Sequence, residues 1–171
     1  MIVYIDFDGV LYDTVSIILN EMKKNNIFFE KDCSKFFEKL NWKKILYSAQ
    51  EINLSISKIE KLKSKYNIKI LTHVSSLNEM VEKSNFIRNK FTDIDIIFVP
   101  KKLDKNFIVN AKNNILIDDS KKNIDNWNKN GGIGILFGQN GISDLFDLEN
   151  NSRGDNNDWF TFTYKNKSRF Y

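Results

Sequence analysis

The sequence has a single cysteine, Cys33, among its 171 residues. It therefore forms no intrachain disulfide and offers no metal site built from cysteine thiolates. A lone thiol is ordinarily a small packing residue, and we assign Cys33 no function. Proline is equally scarce, and the single Pro100 follows an apolar run that it is expected to end.

Long apolar runs are also missing, because no stretch approaches the roughly 20 residues of a membrane-spanning helix. The N-terminus begins with a strand-like run and acidic residues rather than with a signal segment. We therefore expect the protein in the cytoplasm, of a bacterium or of a host cell if it is viral. A chain of 171 residues suits one domain with a small inserted lobe.

Acidic residues do not balance the basic ones, and the net charge is +4. The excess lies between Thr14 and Asn67, where 11 lysines outnumber 6 acidic residues. An anionic partner suits this balance, although most proteins with a mild basic excess bind no nucleic acid.

Five short apolar runs are nearly continuous in Ile, Val, Leu and Phe, which is typical of parallel strands covered on both faces. The predicted strands are Ile2–Ile5, Ile68–Leu71, Ile94–Val99, Asn114–Ile117 and Ile133–Phe137. Helical patterns follow the later strands, at about residues 76–90, 104–111 and 120–130. This alternation predicts an α/β fold with a doubly wound, Rossmann-like parallel sheet of about five strands.

Residues 14–67 interrupt the alternation with apolar residues at helical spacing and a capping-box motif from Ser57 to Glu60. We predict three or four helices inserted after the first strand. The predicted organisation is a core of residues 1–13 and 68–138, a small helical cap of residues 14–67 and a C-terminal extension of residues 139–171. Within the extension, Trp159–Tyr164 has the composition of a strand and follows a polar link.

Carboxylates follow two of the predicted strands. Asp6 and Asp8 come directly after the first strand, and Asp118 and Asp119 follow the fourth. Because sites in open α/β sheets form at the carboxyl ends of the strands, we expect these residues to meet. Two acidic pairs would repel each other unless a cation lay between them, and an oxygen-rich site of this kind favours Mg²⁺.

Groups suited to phosphate follow two other strands. Thr72 ends the second strand, and Lys101, Lys102 and Lys105 follow the third. A hydroxyl and an ammonium at these positions would hold the non-bridging oxygens of a phosphoryl group. The pattern leaves open which lysine is used, and we favour Lys105 because it opens the next helical segment.

Four motifs in this order resemble those of the haloacid dehalogenase (HAD) superfamily of phosphatases. Asp6–Asp13 resembles its DxDGVLxD signature, Thr72 its second motif, Lys105 its third and Asp118-Asp119 its fourth. Within the superfamily, 5′(3′)-deoxyribonucleotidases and their phage relatives are similar to this chain at Asp118–Ser120, Asn123–Trp127 and Gly131–Ile135. The predicted helical insertion resembles the small cap of that family.

The resemblance implies a catalytic cycle on four residues. Asp6 would attack phosphorus and form an aspartyl-phosphate, while Asp8 would protonate the leaving oxygen and then activate water. Thr72 would bind the phosphoryl oxygens, and Lys105 would neutralise them and steady the nucleophile.

The resemblance also implies a metal site with Mg²⁺ as the cofactor. Asp6, Asp8 and Asp118 would be its ligands, with Asp8 contributing its main-chain carbonyl. Asp119 would act through a metal-bound water or orient the lysine. Asp13 is expected to cap the first inserted helix rather than to bind the metal.

The predicted partner is a small phosphorylated substrate, and the resemblance implies a (deoxy)nucleoside monophosphate. His73, Lys43 and Lys44 are weaker candidates for contacting it. A histidine at a strand end is more often structural, and lysines of a helical cap more often form a solvated face. Aromatic residues of the insertion would mostly form its core, with one or two stacking on a base; they are Phe28, Phe29, Phe36, Phe37, Trp42 and Tyr47.

Two other functions remain open. The basic insertion would also suit a polynucleotide 3′-phosphatase that repairs nucleic-acid ends. A non-catalytic phospho-acceptor or binding domain would likewise gather Asp, Thr and Lys at strand ends. The carboxylate of Asp8, two residues after Asp6, favours the enzyme because a slow phospho-acceptor lacks such an acid.

Overall fold

The computed structural model of the protein describes residues 1–27, 33–138 and 141–145. Phe28, Phe29 and the predicted strand Trp159–Tyr164 lie outside the described residues. None of the helices in the described ranges is both long and apolar enough to cross a bilayer.

The described chain forms one five-stranded sheet in which all pairings are parallel. The strands are β1 (Ile2–Ile5), β2 (Asn67–Val74), β3 (Asp95–Pro100), β4 (Ile115–Asp118) and β5 (Ile133–Leu136). Their order across the sheet is β3-β2-β1-β4-β5, so β1 lies at the centre between β2 and β4. The predicted α/β fold class and the five predicted strands are confirmed, with boundaries shifted by up to three residues.

Six α-helices and one 3₁₀ turn connect the strands in the described ranges. The helices are α1 (Thr14–Lys24), α2 (Ser34–Lys39), α3 (Trp42–Ser48), α4 (Ser55–Leu62), α5 (Leu77–Arg88) and α6 (Lys121–Lys129), and the 3₁₀ turn is Lys105–Phe107. The first four all lie between β1 and β2, where the sequence predicts three or four inserted helices.

Both faces of the sheet are covered, because successive side chains of a strand point to opposite faces. On β1, Val3 and Ile5 belong to one buried cluster, and Tyr4 belongs to a second. The second cluster includes Trp127 of α6, whose ring meets that of Tyr4 edge-on at 5.5 Å. Covered faces explain why the strands read as continuous apolar runs.

The inserted helices pack into the same core as the sheet. Leu46 of α3 and Ile59 and Leu62 of α4 belong to the buried cluster that contains Val3 and Ile5. The insertion is therefore held against the sheet by shared apolar contacts, which fixes its position relative to the strand ends.

Three helices begin with a side-chain cap, as predicted for Asp13. The side chains of Asp13, Ser76 and Ser120 accept main-chain NH groups at the first turns of α1, α5 and α6. The prediction that Ser57 opens a helix is wrong, because α4 begins at Ser55 after Leu54 in the left-handed conformation. There the Oγ of Ser55 donates to the Leu11 carbonyl, and Glu51 accepts from the main-chain NH of Ile56.

The helix predicted at residues 104–111 is reduced to the 3₁₀ turn Lys105–Phe107. Asp104 makes no side-chain cap there. The side chain of Asn110 accepts the main-chain NH of Lys112 at 2.9 Å, and its carbonyl accepts from Asn114. Such local side-chain bonds compete with helix formation and turn the chain toward β4.

Candidate active site

Three carboxylates gather where β1 and β4 end. Asp6 directly follows β1, and its main-chain NH donates to the Ile117 carbonyl of β4 at 2.9 Å. Asp118 is the last residue of β4, and Asp119 follows it. One carboxylate oxygen from each of the three lies within 4.8 Å of the others. The two acidic pairs that the sequence places at neighbouring strand ends thus contribute to one cluster.

Lys105 is the lysine that the structure brings into this cluster. Its Nζ lies 3.0 Å from Oδ1 of Asp6 and 2.6 Å from Oδ2 of Asp118, and its side chain is 2% exposed. The 3₁₀ turn after β3 carries it there. Lys101 and Lys102, the alternatives left open by the sequence, are both solvent-exposed.

Asp118 and Asp119 differ in their surroundings. Asp118 is fully buried, and its carboxylate accepts hydrogen bonds from Lys105, from Nδ2 of Asn123 at 2.9 Å and from the main-chain NH of Ser120 at 2.9 Å. Asp119 is exposed. The resemblance implies that Asp118 binds the metal and that Asp119 acts through a metal-bound water or orients the lysine. In the structure it is Asp118 that contacts Lys105.

The loop at Gly9 brings the two strand ends close together. Gly9 has φ +73°, and a Cβ added there would lie 2.2 Å from Oδ2 of Asp119. The left-handed conformation favours glycine at this position. A larger side chain would also have to displace the Asp119 carboxylate, so the glycine of the DxDG pattern lets the two strand ends approach each other.

Asp8 lies close to Asp6 in sequence but directs its carboxylate elsewhere. Oδ1 accepts from Oγ1 of Thr14 at 2.6 Å, and Oδ2 accepts from Lys83 at 2.5 Å and from Oγ1 of Thr72 at 3.3 Å. The cluster of metal-ligating type comprises Asp6, Asp118 and Asp119 and does not include the Asp8 side chain. The predicted contact of Asp8 with a metal is thus limited to its main-chain carbonyl.

Lys83 is a residue of the site that the sequence did not reveal. It lies on α5 with its side chain fully buried, and its Nζ also lies 2.7 Å from Oε1 of Glu79. A glutamate and a lysine four residues apart on a helix ordinarily form an exposed pair. No local pattern distinguishes this pair from a surface one, because its burial depends on the packing of α5 against α3 and β2.

The two buried lysines set the ionisation of the carboxylates around them. Burial raises the pKa of Asp6, the charge of Lys105 opposes this rise, and the charges of Asp118 and Asp8 add to it. Burial also acts to raise the pKa of Asp8, but its ion pair with Lys83 and the hydrogen bonds it accepts outweigh burial and lower the pKa. The pKa of Lys83 lies above its ordinary value because Asp8 and Glu79 outweigh its burial.

Asp119 has the most altered acidity of the cluster. The residue is exposed overall, but its carboxylate lies against Gly9, and desolvation there raises its pKa to about 7. The negative charges of Asp6, Asp118 and Asp8 contribute to the rise. Around these strand ends, five carboxylates surround two ammonium groups in the described chain; they are Asp6, Asp8, Glu79, Asp118 and Asp119 beside Lys83 and Lys105. The site therefore has too little positive charge for its acids.

Of the weaker candidates, His73 lies beside the site and the cap lysines do not join it. Nε2 of His73 is 2.9 Å from the Leu103 carbonyl, and burial lowers its pKa. Lys43 and Lys44 are exposed on α3, and no hydrogen bond or ion pair in the described ranges joins either to the cluster. The substrate contacts expected of these three residues stay predictions.

Among solved structures, the chain is similar to several HAD-type hydrolases. A haloacid dehalogenase-like family hydrolase from Streptococcus pneumoniae is 18% identical, with a TM-score of 0.55 over 86% of this chain and 89% of that one. A hydrolase from Pseudomonas syringae is 14% identical, with a TM-score of 0.56 over 87% and 89%. A HAD-superfamily hydrolase from Ehrlichia chaffeensis is 17% identical, with a TM-score of 0.51 over 87% and 94%.

No protein-family model matches the sequence, and no curated protein matches it at a significant level. At identities this low, the solved structures show that the chain has the fold of HAD-type hydrolases over most of its length. The HAD-like architecture implied by the four motifs is therefore supported by the fold. The reaction has to be inferred from the side chains of the site.

Proposed function

We propose that the chain is a Mg²⁺-dependent phosphomonoesterase that forms an aspartyl-phosphate on Asp6. The observation that carries this proposal is the arrangement around Asp6. Its carboxylate lies 3.0 Å from Nζ of Lys105 and within 4.8 Å of carboxylate oxygens of Asp118 and Asp119. Two residues later, the Asp8 carboxylate is held by other donors, Thr14 and Lys83. A nucleophile, a cation, a metal-ligating group and an independent acid thus occur at one edge of the sheet.

The donor set fits a hard divalent cation. Its side-chain ligands are carboxylate oxygens alone, the chemistry that Mg²⁺ prefers. After desolvation, the negative charges of Asp6, Asp118 and Asp8 add to the raised pKa of Asp119, and a cation at the cluster would oppose them. In this proposal the carboxylates of Asp6, Asp118 and Asp119 and the main-chain carbonyl of Asp8 hold the ion, while Asp118 also pairs with Lys105. Bound there, the ion would supply a positive charge that offsets the phosphoryl oxygens.

The proposed reaction has two steps. An Asp6 oxygen forms a bond to phosphorus while the bond from phosphorus to the leaving oxygen breaks, and Asp8 gives that oxygen its proton. A water molecule then attacks phosphorus, its proton passes to the Asp8 carboxylate, and the Asp6–phosphorus bond breaks. Lys105 and Thr72 balance the charge on the phosphoryl oxygens in both steps.

The proposed substrate is a (deoxy)nucleoside monophosphate, selected by the inserted helices acting as a cap. The support is the fold, the resemblance at residues 118–135 and the aromatic residues that the insertion carries, of which Tyr47 of α3 is 60% exposed. Its ring meets that of Phe86 on α5 edge-on at 5.2 Å, and in this proposal the exposed part of the ring stacks on the base.

A substrate panel tests this proposal. We expect release of inorganic phosphate from deoxyribonucleoside and ribonucleoside monophosphates in the presence of Mg²⁺, and none after chelation. A polynucleotide 3′-phosphatase would instead hydrolyse 3′-phosphorylated oligonucleotides, with binding that weakens steeply as salt increases. Hydrolysis of the oligonucleotides alone would replace our choice of substrate, and no hydrolysis of any phosphate ester would refute the phosphatase.

Metal affinity is expected to depend on pH through Asp119. Its pKa of about 7 means that the carboxyl is mostly protonated at lower pH, so a cation must displace the proton. We expect the apparent Kd for Mg²⁺, measured by calorimetric titration, to rise about tenfold between pH 8 and pH 6. Asp119→Asn should bind Mg²⁺ weakly at both pH values. An affinity that stays constant over this range would remove Asp119 from the ligand set.

A further inference from the structure

Lys83 is a fully buried cation on α5. Its Nζ has three acceptors: Oδ2 of Asp8 at 2.5 Å, Oε1 of Glu79 at 2.7 Å and the main-chain carbonyl of His73 at 3.0 Å. Lysines are almost never fully buried unless they are paired, since removing the charge from water is costly. The protein tolerates this burial because all three acceptors surround one ammonium group.

Lys83 lies where the insertion meets the core. Its Nζ is 5.6 Å from the ring centre of Trp42 on α3 and 5.9 Å from that of Phe7 in the loop after β1. Both rings are buried, and cations near aromatic faces are stabilised by the ring electrons. The ammonium is therefore enclosed by α3, α5 and the β1 loop, and it has little freedom to move.

The fixed position of Lys83 restricts the orientation of the Asp8 carboxylate. Lys83 and Thr72 hold one of its carboxylate oxygens, and Thr14 holds the other. With both oxygens engaged, the carboxylate is kept out of the group formed by Asp6, Asp118 and Asp119. An uncharged side chain at position 83 would leave Asp8 with two hydroxyl donors and no ion pair, free to turn toward any cation at that group.

We propose that Lys83 is a positioning residue that anchors the Asp8 carboxylate beside Asp6 and keeps it out of the metal-ligating group. This inference rests on the proposed function, in which Asp8 serves the leaving oxygen. The two buried lysines then pair with different carboxylates, and each pair has a different role. Lys105 pairs with Asp6 and Asp118 for phosphoryl transfer, and Lys83 pairs with Asp8 for proton transfer.

The test uses the dependence of the rate on the leaving group. A nucleoside leaving oxygen needs a proton, whereas the dinitrophenolate ion of dinitrophenyl phosphate leaves without one. For Lys83→Met we expect kcat/KM, which reports formation of the phospho-enzyme, to fall about 100-fold with a nucleoside monophosphate. With dinitrophenyl phosphate the fall should be less than about threefold. A merely structural role of Lys83 would lower both values equally.

Two further variants and a double-mutant cycle between Lys83 and Asp8 complete the test. Because Lys83→Met leaves Glu79 buried without its cation, the double variant Lys83→Met/Glu79→Gln removes both charges and should show the same leaving-group dependence. Lys83→Arg should recover part of the nucleoside monophosphate activity. In an Asp8→Asn background, Lys83→Met should lower kcat/KM for the nucleoside monophosphate by less than about a further threefold, because the two residues act as one unit. Lys129→Met, at the exposed end of α6, is the matched control and should leave kcat/KM unchanged with both substrates.

The outcomes separate this inference from the proposed function. Equal losses with both substrates, or a full additional loss in the Asp8→Asn background, would overturn the role of Lys83 and leave the phosphatase intact. A wild-type chain that hydrolyses no phosphate ester with Mg²⁺ would overturn the phosphatase and, with it, the role of Lys83.

Discussion

Asp6→Asn is expected to lower phosphatase kcat/KM by at least about 10,000-fold, because an amide cannot form an acyl phosphate with the substrate. The variant should remain folded. Asparagine has the same shape, and its carbonyl oxygen can still accept the main-chain NH of Phe7, which lies 2.8 Å from Oδ1 of Asp6. Burial disfavours the ionised form of Asp6, as its raised pKa shows, and a neutral amide avoids that cost.

Two measurements check this expectation beside steady-state rates. Thermal unfolding without metal should give a melting temperature no lower than that of the wild type. Mass spectrometry after acid quenching should detect a phosphorylated chain in the wild type and not in Asp6→Asn. A variant that keeps more than a tenth of the activity would mean that another group is the nucleophile.

Asp13→Asn is the matched control in the same loop. Asp13 caps α1 by accepting the main-chain NH of Ser16 at 3.1 Å, and asparagine is an equally good N-cap. We expect its activity to remain within about twofold of the wild type, since helix capping is preserved. Loss of activity in Asp13→Asn as well would indicate that the loop, rather than the Asp6 carboxylate, is sensitive to substitution.

The sheet could be predicted because its signals are local and repeated. Each strand is a short apolar run with both faces buried, and the helices that follow β2 and β4 begin close to the predicted residues 76 and 120. The convergence of Asp6 and Asp118 follows from the same reading, since neighbouring parallel strands end at one edge. Here a general property of α/β sheets supplied the three-dimensional information that the sequence pattern lacks.

The inserted helices were less predictable, because their ends depend on contacts with distant residues. The capping-box motif at Ser57 has the right residue types, yet α4 starts at Ser55. The hydroxyl of Ser55 donates to the Leu11 carbonyl, 44 positions away in sequence, and this bond favours the observed start. A motif confined to four residues carries no information about such a partner.

The sequence also did not reveal which carboxylate of the site pairs with which lysine. Nothing in the adjacent pair Asp118-Asp119 tells which carboxylate faces Lys105 and which faces solvent. The answer comes from Asn123, whose Nδ2 donates to Asp118 from the first turn of α6. Lys83 is a stronger case, because its pairing with Asp8 joins residues 75 positions apart. Its role depends on tertiary packing, which no spacing rule describes.

Asp8→Asn is expected to keep the fold and to lose at least about 100-fold in turnover of a nucleoside monophosphate. The amide can neither protonate the leaving oxygen nor take a proton from water. Its oxygen can still accept from Thr14 and Lys83, which hold the Asp8 carboxylate at 2.6 and 2.5 Å. With dinitrophenyl phosphate the first step should proceed, and the phospho-enzyme should accumulate because its hydrolysis lacks a base.

Stability gives a second readout of the same substitution. The pKa of Asp8 is lowered by Lys83, so its ionised form stabilises the folded chain above the ordinary aspartate pKa of about 4. That contribution is lost as pH falls through the lowered pKa. Asp8→Asn should therefore melt below the wild type at pH 7, and the difference should shrink in acid. Near-normal turnover in a folded Asp8→Asn would mean that the Asp8–Lys83 pair stabilises the protein without serving proton transfer.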